Sequence, residues 1–284
     1  MHELFCDRCD SEISDQADIC TTCGNSVGAP NVRLARKSEE KSALDERYNK
    51  VLEDAKLASA YDRLTLFDQK MKVTCAVVNV DISFLHACIT NEKTLYTSYA
   101  LGVKGQLRKP AQSDNDKERL AVEGILFGSY GQNIRYAALS LDGAGVQSYG
   151  KYSLKLREVT ISHRATLLED NSFVFVEKHE LIPGKEIPRG RRSTWEDRHK
   201  LALAKLAHRV SPEASDAEYA GILLFSEGDY KTDNFIEIHI YGPFDAQAIE
   251  AVRGSSTSDD KVEAAMVENV KQHLQNGGKT WIEA

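Results

Sequence analysis

Short segments rich in β-branched and aromatic residues recur along most of the chain. Each has the length of a strand, and Gly, Pro, Asn, Asp or Ser residues stand near many of their ends. The pattern therefore predicts β-strands at residues 73–80, 135–141, 152–158, 171–179, 219–226 and 235–242.

Other segments place apolar residues three and four positions apart, which is the spacing of one helix face. They are residues 38–70, 82–89, 114–126, 194–210 and 258–278. Asp81 is predicted to cap the second of these helices, and Ser193 with Glu196 predicts a capping box that opens the fourth. Gly277 suits the C-cap of the last. Helices and strands do not alternate strictly, so the predicted fold class is α+β rather than a doubly wound parallel sheet.

The helical pattern at residues 38–70 has two interpretations. Its apolar stripe runs through Leu44, Tyr48, Val51, Ala55 and Ala58, at intervals of 4, 3, 4 and 3 residues. Such a stripe is typical of a helix packed on its own domain, but it also fits a coiled-coil seam. In the second case the segment is a spacer, or a helix through which two copies form a homodimer.

Four of the six cysteines form two CxxC pairs near the N-terminus, Cys6 with Cys9 and Cys20 with Cys23. This spacing predicts a zinc ribbon in which four thiolates surround one structural ion and leave no open coordination position. Two disulfides are the alternative. They belong mainly to oxidising compartments, and no secretory signal pattern precedes the motif. The predicted organisation is a zinc ribbon at 1–27, a polar connector at 25–37, a helical spacer at 38–71 and an α+β main domain at 73–284.

Composition indicates an ordinary soluble protein. The 284 residues are 42% hydrophobic and 28% charged, with a formal net charge of −7, which argues against general coating of nucleic acid. No apolar segment reaches the roughly 18 residues that a membrane helix needs. Cys75 and Cys88 lie in apolar surroundings and are predicted to be buried free thiols. Together these features predict a cytoplasmic protein.

The segment 235–241 carries the most informative chemistry. A strand has a period of two, so Ile236, Ile238 and Ile240 share one face, and Glu237 and His239 share the other. A carboxylate and an imidazole side by side can orient a hydroxyl group or act as a base. The alternative is a strand with a solvated polar face.

Three further segments are candidate sites. The glycine-rich segment 143–150 carries Ser148 and Tyr149 and ends in Gly150, so it suits close approach of a phosphate or ribose; it also suits a plain hairpin loop. Residues 162–164 and 169–172 are polar and form the second candidate site; a simple polar loop is the alternative. Residues 189–194 combine arginines with a predicted helix N-terminus, which favours an anion site or a solvated basic loop. No Rossmann, P-loop, HExxH or GxSxG motif is present.

Several segments together resemble an uncharacterised bacterial zinc-ribbon family: YAALSLDGAGVQSYG, HRAT followed by EDNS, RSTWEDRHKLALAKLAHRV and FIEIHIYGPF. The resemblance covers roughly residues 73–252. More distantly, the order of parts is similar to ADP-ribosyltransferase-like domains. Those domains carry an NAD-contacting polar residue on an early strand, a Ser or Tyr on a middle strand and a catalytic Glu on a late strand. The similarity implies that Glu237 is the late-strand glutamate and that Ser148 and Tyr149 are the middle element. It leaves Asn79 and Arg135 as alternatives for the early element.

The resemblance implies an NAD-using transferase that modifies a macromolecular target. In it Glu237, His239 and Tyr149 are catalytic, and Asn79, Arg135, Ser148, Gly150 and Arg164 bind the NAD. The alternative is a non-enzymatic adaptor whose ribbon and helix bind a protein or nucleic acid. A metal-dependent nuclease ranks below both, since no metal-spaced carboxylate cluster is present. The ribbon is rich in Asp and Glu, which repel phosphate, so a protein partner is favoured over nucleic acid.

Overall fold

A computed structural model describes residues 5–6, 8–14, 16–91, 93–97, 101, 113–228 and 233–284. Its helices are α1 Pro30–Ala35, α2 Ser38–Leu57, α3 Tyr61–Met71, α4 Ile82–Thr90, α5 Ser113–Phe127, α6 Glu158–Ile161, α7 Ser172–Lys178, α8 Arg198–Leu206, α9 Tyr219–Leu223 and α10 Lys261–Asn276. Its strands are β1 Cys75–Val80, β2 Ile134–Ser140, β3 Tyr152–Leu156, β4 Ala165–Leu168, β5 Arg192–Thr194, β6 Glu237–Tyr241, β7 Ile249–Gly254 and β8 Thr280–Glu283.

The strands form one eight-stranded sheet in the order β5-β4-β6-β2-β1-β3-β7-β8. All neighbouring strands are antiparallel except β7 and β8, which are parallel. The mixture of helices with this sheet confirms the predicted α+β class. None of the described helices combines the length and the apolar character needed to cross a membrane.

One face of the sheet carries the larger hydrophobic core. Ile236, Ile238 and Ile240 have no exposed surface and point into it, while Glu237 and His239 point to the other face. The predicted alternation of this strand is therefore confirmed. Burying one such aliphatic side chain contributes about 1.5–3 kcal/mol, so a shift of one residue in register would be strongly disfavoured.

Residues 38–71 form two helices, α2 and α3, with a break at residues 58–60. Leu44 and Ala55 of α2 and Phe67 and Met71 of α3 are buried in the larger core. Both helices also pack against α8. The structure therefore agrees with the first interpretation of this segment, helices packed on their own domain.

Several sequence predictions are wrong. Residues 171–179 and 219–226 were predicted as strands, but they contain the helices α7 and α9. Ser193 lies in strand β5 and α8 begins only at Arg198, so the predicted capping box at Ser193 and Glu196 does not form. The connector 25–37 contains the helix α1, whose Asn31 and Val32 are buried. Asp81 stands at the N-cap of α4, but its side chain makes no capping hydrogen bond.

Candidate functional site

The four N-terminal cysteines lie together and are free thiols. Their sulfur atoms are all within 4.8 Å of one another; Cys6 and Cys23 are 3.7 Å apart, and Cys9 and Cys20 are 3.6 Å apart. A tetrahedron of sulfur atoms about 2.3 Å from a central ion has edges of about 3.8 Å. The cluster is therefore compatible with a structural metal site.

Each CxxC pair sits in a turn that is closed by backbone hydrogen bonds. The Cys6 amide bonds the Ser11 carbonyl at 2.9 Å, and the Cys20 amide bonds the Asn25 carbonyl at 2.8 Å. The backbone N–H of Arg8 lowers the pKa of the Cys6 thiol, as that of Cys23 does for Cys20. Such N–H groups stabilise thiolates, which are the form that binds metal.

The cysteine segment is fastened to the sheet. The Arg33 guanidinium on α1 donates to the Ala17 carbonyl at 2.5 Å and the Gly28 carbonyl at 2.7 Å. The Tyr241 hydroxyl on β6 donates to the Gln16 carbonyl at 2.8 Å. The Asn31 amide, also on α1, donates to the backbone carbonyl of His239 at 2.9 Å. The cysteine segment is therefore connected, directly through Tyr241 and indirectly through α1, to the strand that carries Glu237 and His239.

A cleft opens in the middle of the sheet. The ladder between β1 and β2 joins Cys75, Ala76 and Val77 to the segment Ala138–Ser140, while β1 continues to pair with β3 as far as Val80. Beyond Val77 the sheet therefore consists of two half-sheets, β5-β4-β6-β2 and β1-β3-β7-β8. A cavity of about 400 Å³ lies at this cleft and is lined by residues from both sides.

Five predicted site residues line this one cavity. They are Asn79, Arg135, Ser148, Tyr149 and Glu237. They come from β1, β2, the glycine-rich loop and β6, so only the order of strands in the sheet brings them together. His239, Gly150 and Arg164 are not among the lining residues.

The Glu237 carboxylate is the most constrained group in the cavity wall. It is buried and accepts hydrogen bonds from the Ser172 hydroxyl, from the Ser172 backbone N–H at 3.2 Å and from the Asn171 amide at 3.4 Å. His239 Nε2 lies 2.8 Å from Glu237 Oε1. The His239 ring also packs edge-to-face with the rings of Phe127 and Tyr136, and these contacts fix the imidazole beside the carboxylate.

Asn171 and Ser172, which belong to the polar segment 169–172 that the sequence offers as a candidate site, also line the cavity. Asn171 caps α7 by accepting from the Phe173 N–H at 2.9 Å, and its amide donates to the Tyr149 hydroxyl at 3.0 Å. Asn171 and Ser172 therefore connect Glu237 to Tyr149. The N-cap preference of Asn was the signal that could have identified this helix start.

Ion pairs fix the two buried carboxylates that precede Asn171, those of Glu169 and Asp170. Glu169 Oε1 lies 2.7 Å from Arg191, and Glu169 Oε2 lies 2.9 Å from Arg47. Asp170 lies 2.9 Å from Lys205 and 2.9 Å from Lys178. Burial alone would raise the pKa of Asp170, but the charges and hydrogen bonds of Lys205 and Lys178 together outweigh it and lower that pKa.

The glycine-rich loop is attached to β1 through Asn79. The Asn79 side chain accepts from the Val146 N–H at 2.8 Å and donates to the Gly150 carbonyl at 3.0 Å. A Cβ on Gly150 would lie 2.4 Å from the Val80 carbonyl carbon. The close approach that this glycine permits is therefore to strand β1, and we find no role for it in the cavity. Ser148 donates to Asp233.

Tyr149 and Arg135 give the cavity a phenol and a cation. Burial raises the pKa of Tyr149 to about 12, with Glu237 as the next contribution, so the phenol stays protonated at neutral pH. Burial and the nearby Arg164 lower the pKa of Arg135 to about 10. Arg135 donates to the Asn133 carbonyl at 2.6 Å, and its Nε has no hydrogen-bond partner among the described residues.

Arg164 lies outside the cavity and has a structural role. Its guanidinium donates to the carbonyls of Thr160 at 2.9 Å, Tyr241 at 2.8 Å and Pro243 at 2.8 Å. Arg119 of α5, which the sequence did not single out, lines the cavity.

Comparison with known proteins adds no assignment. No protein-family model matches the chain, and no curated protein matches it.

Proposed function

We propose that the cleft binds NAD and that Glu237 promotes transfer of the ADP-ribosyl group to a macromolecular acceptor. The resemblance to ADP-ribosyltransferase-like domains suggests this reaction. The observation that supports it best is the buried Glu237 carboxylate in the cavity wall, held by Ser172 and Asn171 and linked through Asn171 to Tyr149. The cavity volume of about 400 Å³ is typical of small-molecule sites.

The reaction breaks the bond between C1′ of the nicotinamide ribose and the ring nitrogen, and the electron pair leaves with neutral nicotinamide. Positive charge develops on the ribose. A carboxylate fixed beside it stabilises that charge more strongly than water would, because few of its hydrogen bonds need to reorganise. The acceptor then bonds to C1′, and its proton passes to Glu237 and on to solvent. His239 holds the carboxylate in place.

The remaining residues suit the other parts of NAD. The protonated Tyr149 offers a flat ring and a hydroxyl donor for the nicotinamide ribose. Arg135 is buried, and the neighbours that shift its pKa include no carboxylate, so this cation suits the pyrophosphate. Asn79 contributes by holding the loop that carries Tyr149.

We further propose that the four cysteines hold zinc. Four thiolates in a tetrahedral arrangement suit this ion and leave no position for catalysis. The contribution of the zinc ion is to hold the N-terminal segment, which contacts β6 through Tyr241 and through α1. Free thiols of this kind suit a reducing compartment such as the cytoplasm.

The test is calorimetric titration of the zinc-loaded protein with NAD, combined with chromatographic measurement of released nicotinamide. Wild type is expected to bind NAD saturably and to release nicotinamide slowly to water. Glu237→Gln should reduce release at least about 100-fold, because it removes charge stabilisation of the transition state, and should keep NAD affinity within a few-fold. Tyr149→Phe should weaken binding by about five- to tenfold, the loss of one hydrogen bond.

Glu213→Gln and Tyr61→Phe are the matched controls, since both residues are exposed and distant in sequence from the cavity residues. They should leave both readouts unchanged. No heat at millimolar NAD, or equal release by Glu237→Gln and wild type, would refute the transferase. The adaptor would then be the function to test, with the cysteine segment as bait.

A further inference from the structure

A second concave surface lies between the cysteine segment and the body of the protein. It has a volume of about 1080 Å³. We call it the knuckle groove and define it by six of its lining residues, Phe5, Ile19, Arg36, Lys37, His163 and Arg164. It is separate from the cavity at Glu237, and no step of the proposed reaction uses it.

The knuckle groove is cationic in a chain of net charge −7. Four Arg or Lys side chains line it, with Asp18 as the acidic lining residue. Arg164 donates to three carbonyls, which orient its guanidinium without neutralising it. The ion pair of Arg36 with Glu196 spans 4.0 Å between exposed side chains and offsets little of the charge.

Apolar side chains stand beside this charge. Phe5 is 49% exposed and Ile19 is 55% exposed. Each precedes the first cysteine of its CxxC pair and is held by a β-bridge, Phe5 to Glu12 and Ile19 to Ser26. The two turns therefore present equivalent apolar residues at the groove.

We propose that the knuckle groove binds an acidic protein segment that also carries apolar side chains. The cations would pair with its carboxylates, and Phe5 and Ile19 would bury its apolar groups. A nucleic acid fits less well, because Asp10, Glu12 and Asp18 lie on the same turns and repel a continuous line of phosphates. A peptide can alternate carboxylates with apolar residues and avoid this repulsion.

Fluorescence anisotropy with the zinc-loaded full chain tests the proposal. The probes are a labelled pool of 12-residue peptides mixing Asp and Glu with Leu, Ile and Phe, a matched pool with Lys and Arg in place of the acids, and a 12-nucleotide single-stranded RNA. The acidic pool should bind at least about tenfold tighter than either of the others, and its affinity should fall as salt rises.

The variant Arg36→Glu/Lys37→Glu should weaken binding of the acidic pool at least about tenfold, since two attractions become repulsions. Lys41→Glu/Lys50→Glu, on exposed positions of α2, makes the same charge change elsewhere and should have less than a twofold effect. Phe5→Ser/Ile19→Ser should weaken binding about fivefold or more. Equal losses in the two charge-reversed variants, tighter binding of RNA, or no binding of the acidic pool would each overturn the proposal. Zinc content and circular dichroism verify that every variant is folded.

Discussion

Replacing Lys205 by Met should destabilise the protein strongly while leaving its shape intact. Lys205 Nζ lies 2.9 Å from Asp170 Oδ1, and the two side chains are only 10% and 12% exposed. The same nitrogen donates to the Phe235 carbonyl at 2.9 Å. Met fills most of the volume of the lysine stem but leaves the buried Asp170 carboxylate without this partner.

The size of the loss in unfolding free energy depends on the ion-pair partners that Asp170 keeps. Breaking a buried ion pair by removing one partner costs about 3–5 kcal/mol, because the other charge stays buried. Asp170 keeps Lys178 at 2.9 Å, but that side chain is 51% exposed and screened by water. We therefore expect a loss of about 2–4 kcal/mol in the free energy of unfolding. The matched variant Lys178→Met should cost about 1 kcal/mol or less.

The pH dependence gives an independent check. The folded-state pKa of Asp170 is lowered, so this carboxylate stabilises the native state above its unfolded pKa of about 3.9. That stabilisation is lost as pH falls through the lower folded pKa. The difference between wild type and Lys205→Met should therefore be full at pH 7 and should shrink below about pH 4.

The assay is urea unfolding of the full chain at pH 7 and at several acidic values, followed by circular dichroism and tryptophan fluorescence. A cycle with Asp170→Asn separates the pair from the other contacts of each residue. A loss below about 0.5 kcal/mol for Lys205→Met, or a coupling free energy near zero, would mean that the pair is not buried as described.

Three other changes test different parts of the structure. Cys20→Ser should abolish stoichiometric zinc binding, measured by atomic absorption, and unfold the cysteine segment, seen as loss of proteolytic protection there; retained zinc would contradict the cluster. Asn79→Ala should cost about 1–3 kcal/mol of unfolding free energy, because the loop groups it bonds lose their partners; thermal melting with an unchanged midpoint would argue against this attachment. Gly150→Ala should destabilise by at least about 2 kcal/mol, since its φ of 142° and the nearby Val80 backbone both oppose a Cβ, whereas Gly184→Ala, with φ of 86° and open space, should cost about 1 kcal/mol. Equal melting temperatures for the two glycine variants would refute the steric part of this reasoning.

Local patterns were sufficient for the elements whose burial follows their own sequence. β6 alternates Ile with polar residues and buries its Ile face as predicted. The helix predicted at 258–278 is present as α10, but of the apolar spacing Val262, Met266 and Val270 only Val270 is buried, and Val262 is 63% exposed. The cysteine cluster could be predicted from the spacing of the four cysteines alone. In each case one short segment carries the whole signal.

The helices α7 and α9 show why other segments were predicted wrongly. Residues 171–179 and 219–226 are apolar enough for strands, but capping decides them: Asn171 caps α7, and Ser215 with Glu218 forms a capping box just before α9. In addition, α9 ends after only five residues, a length at which strand and helix cannot be separated by periodicity.

The candidate site could be predicted only in part. Glu237 and Tyr149 have distinctive local sequences, and both line the cavity. The roles of Asn171 and Ser172 depend on β4 lying beside β6, a neighbour relation that no local pattern encodes. The structural role of Arg164 likewise depends on carbonyls 77 and 79 residues away.

The cleft in the sheet has a consequence for how the molecule can be divided. The chain passes from one half-sheet to the other between β1 and β2, between β2 and β3, between β3 and β4, and between β6 and β7. Neither half-sheet is therefore a continuous piece of sequence, and no single cut places the two halves on separate fragments. These four crossings join the halves in addition to the three-residue β1–β2 ladder. The crossing between β2 and β3 carries Ser148 and Tyr149, so a segment that joins the two halves also supplies part of the cavity wall.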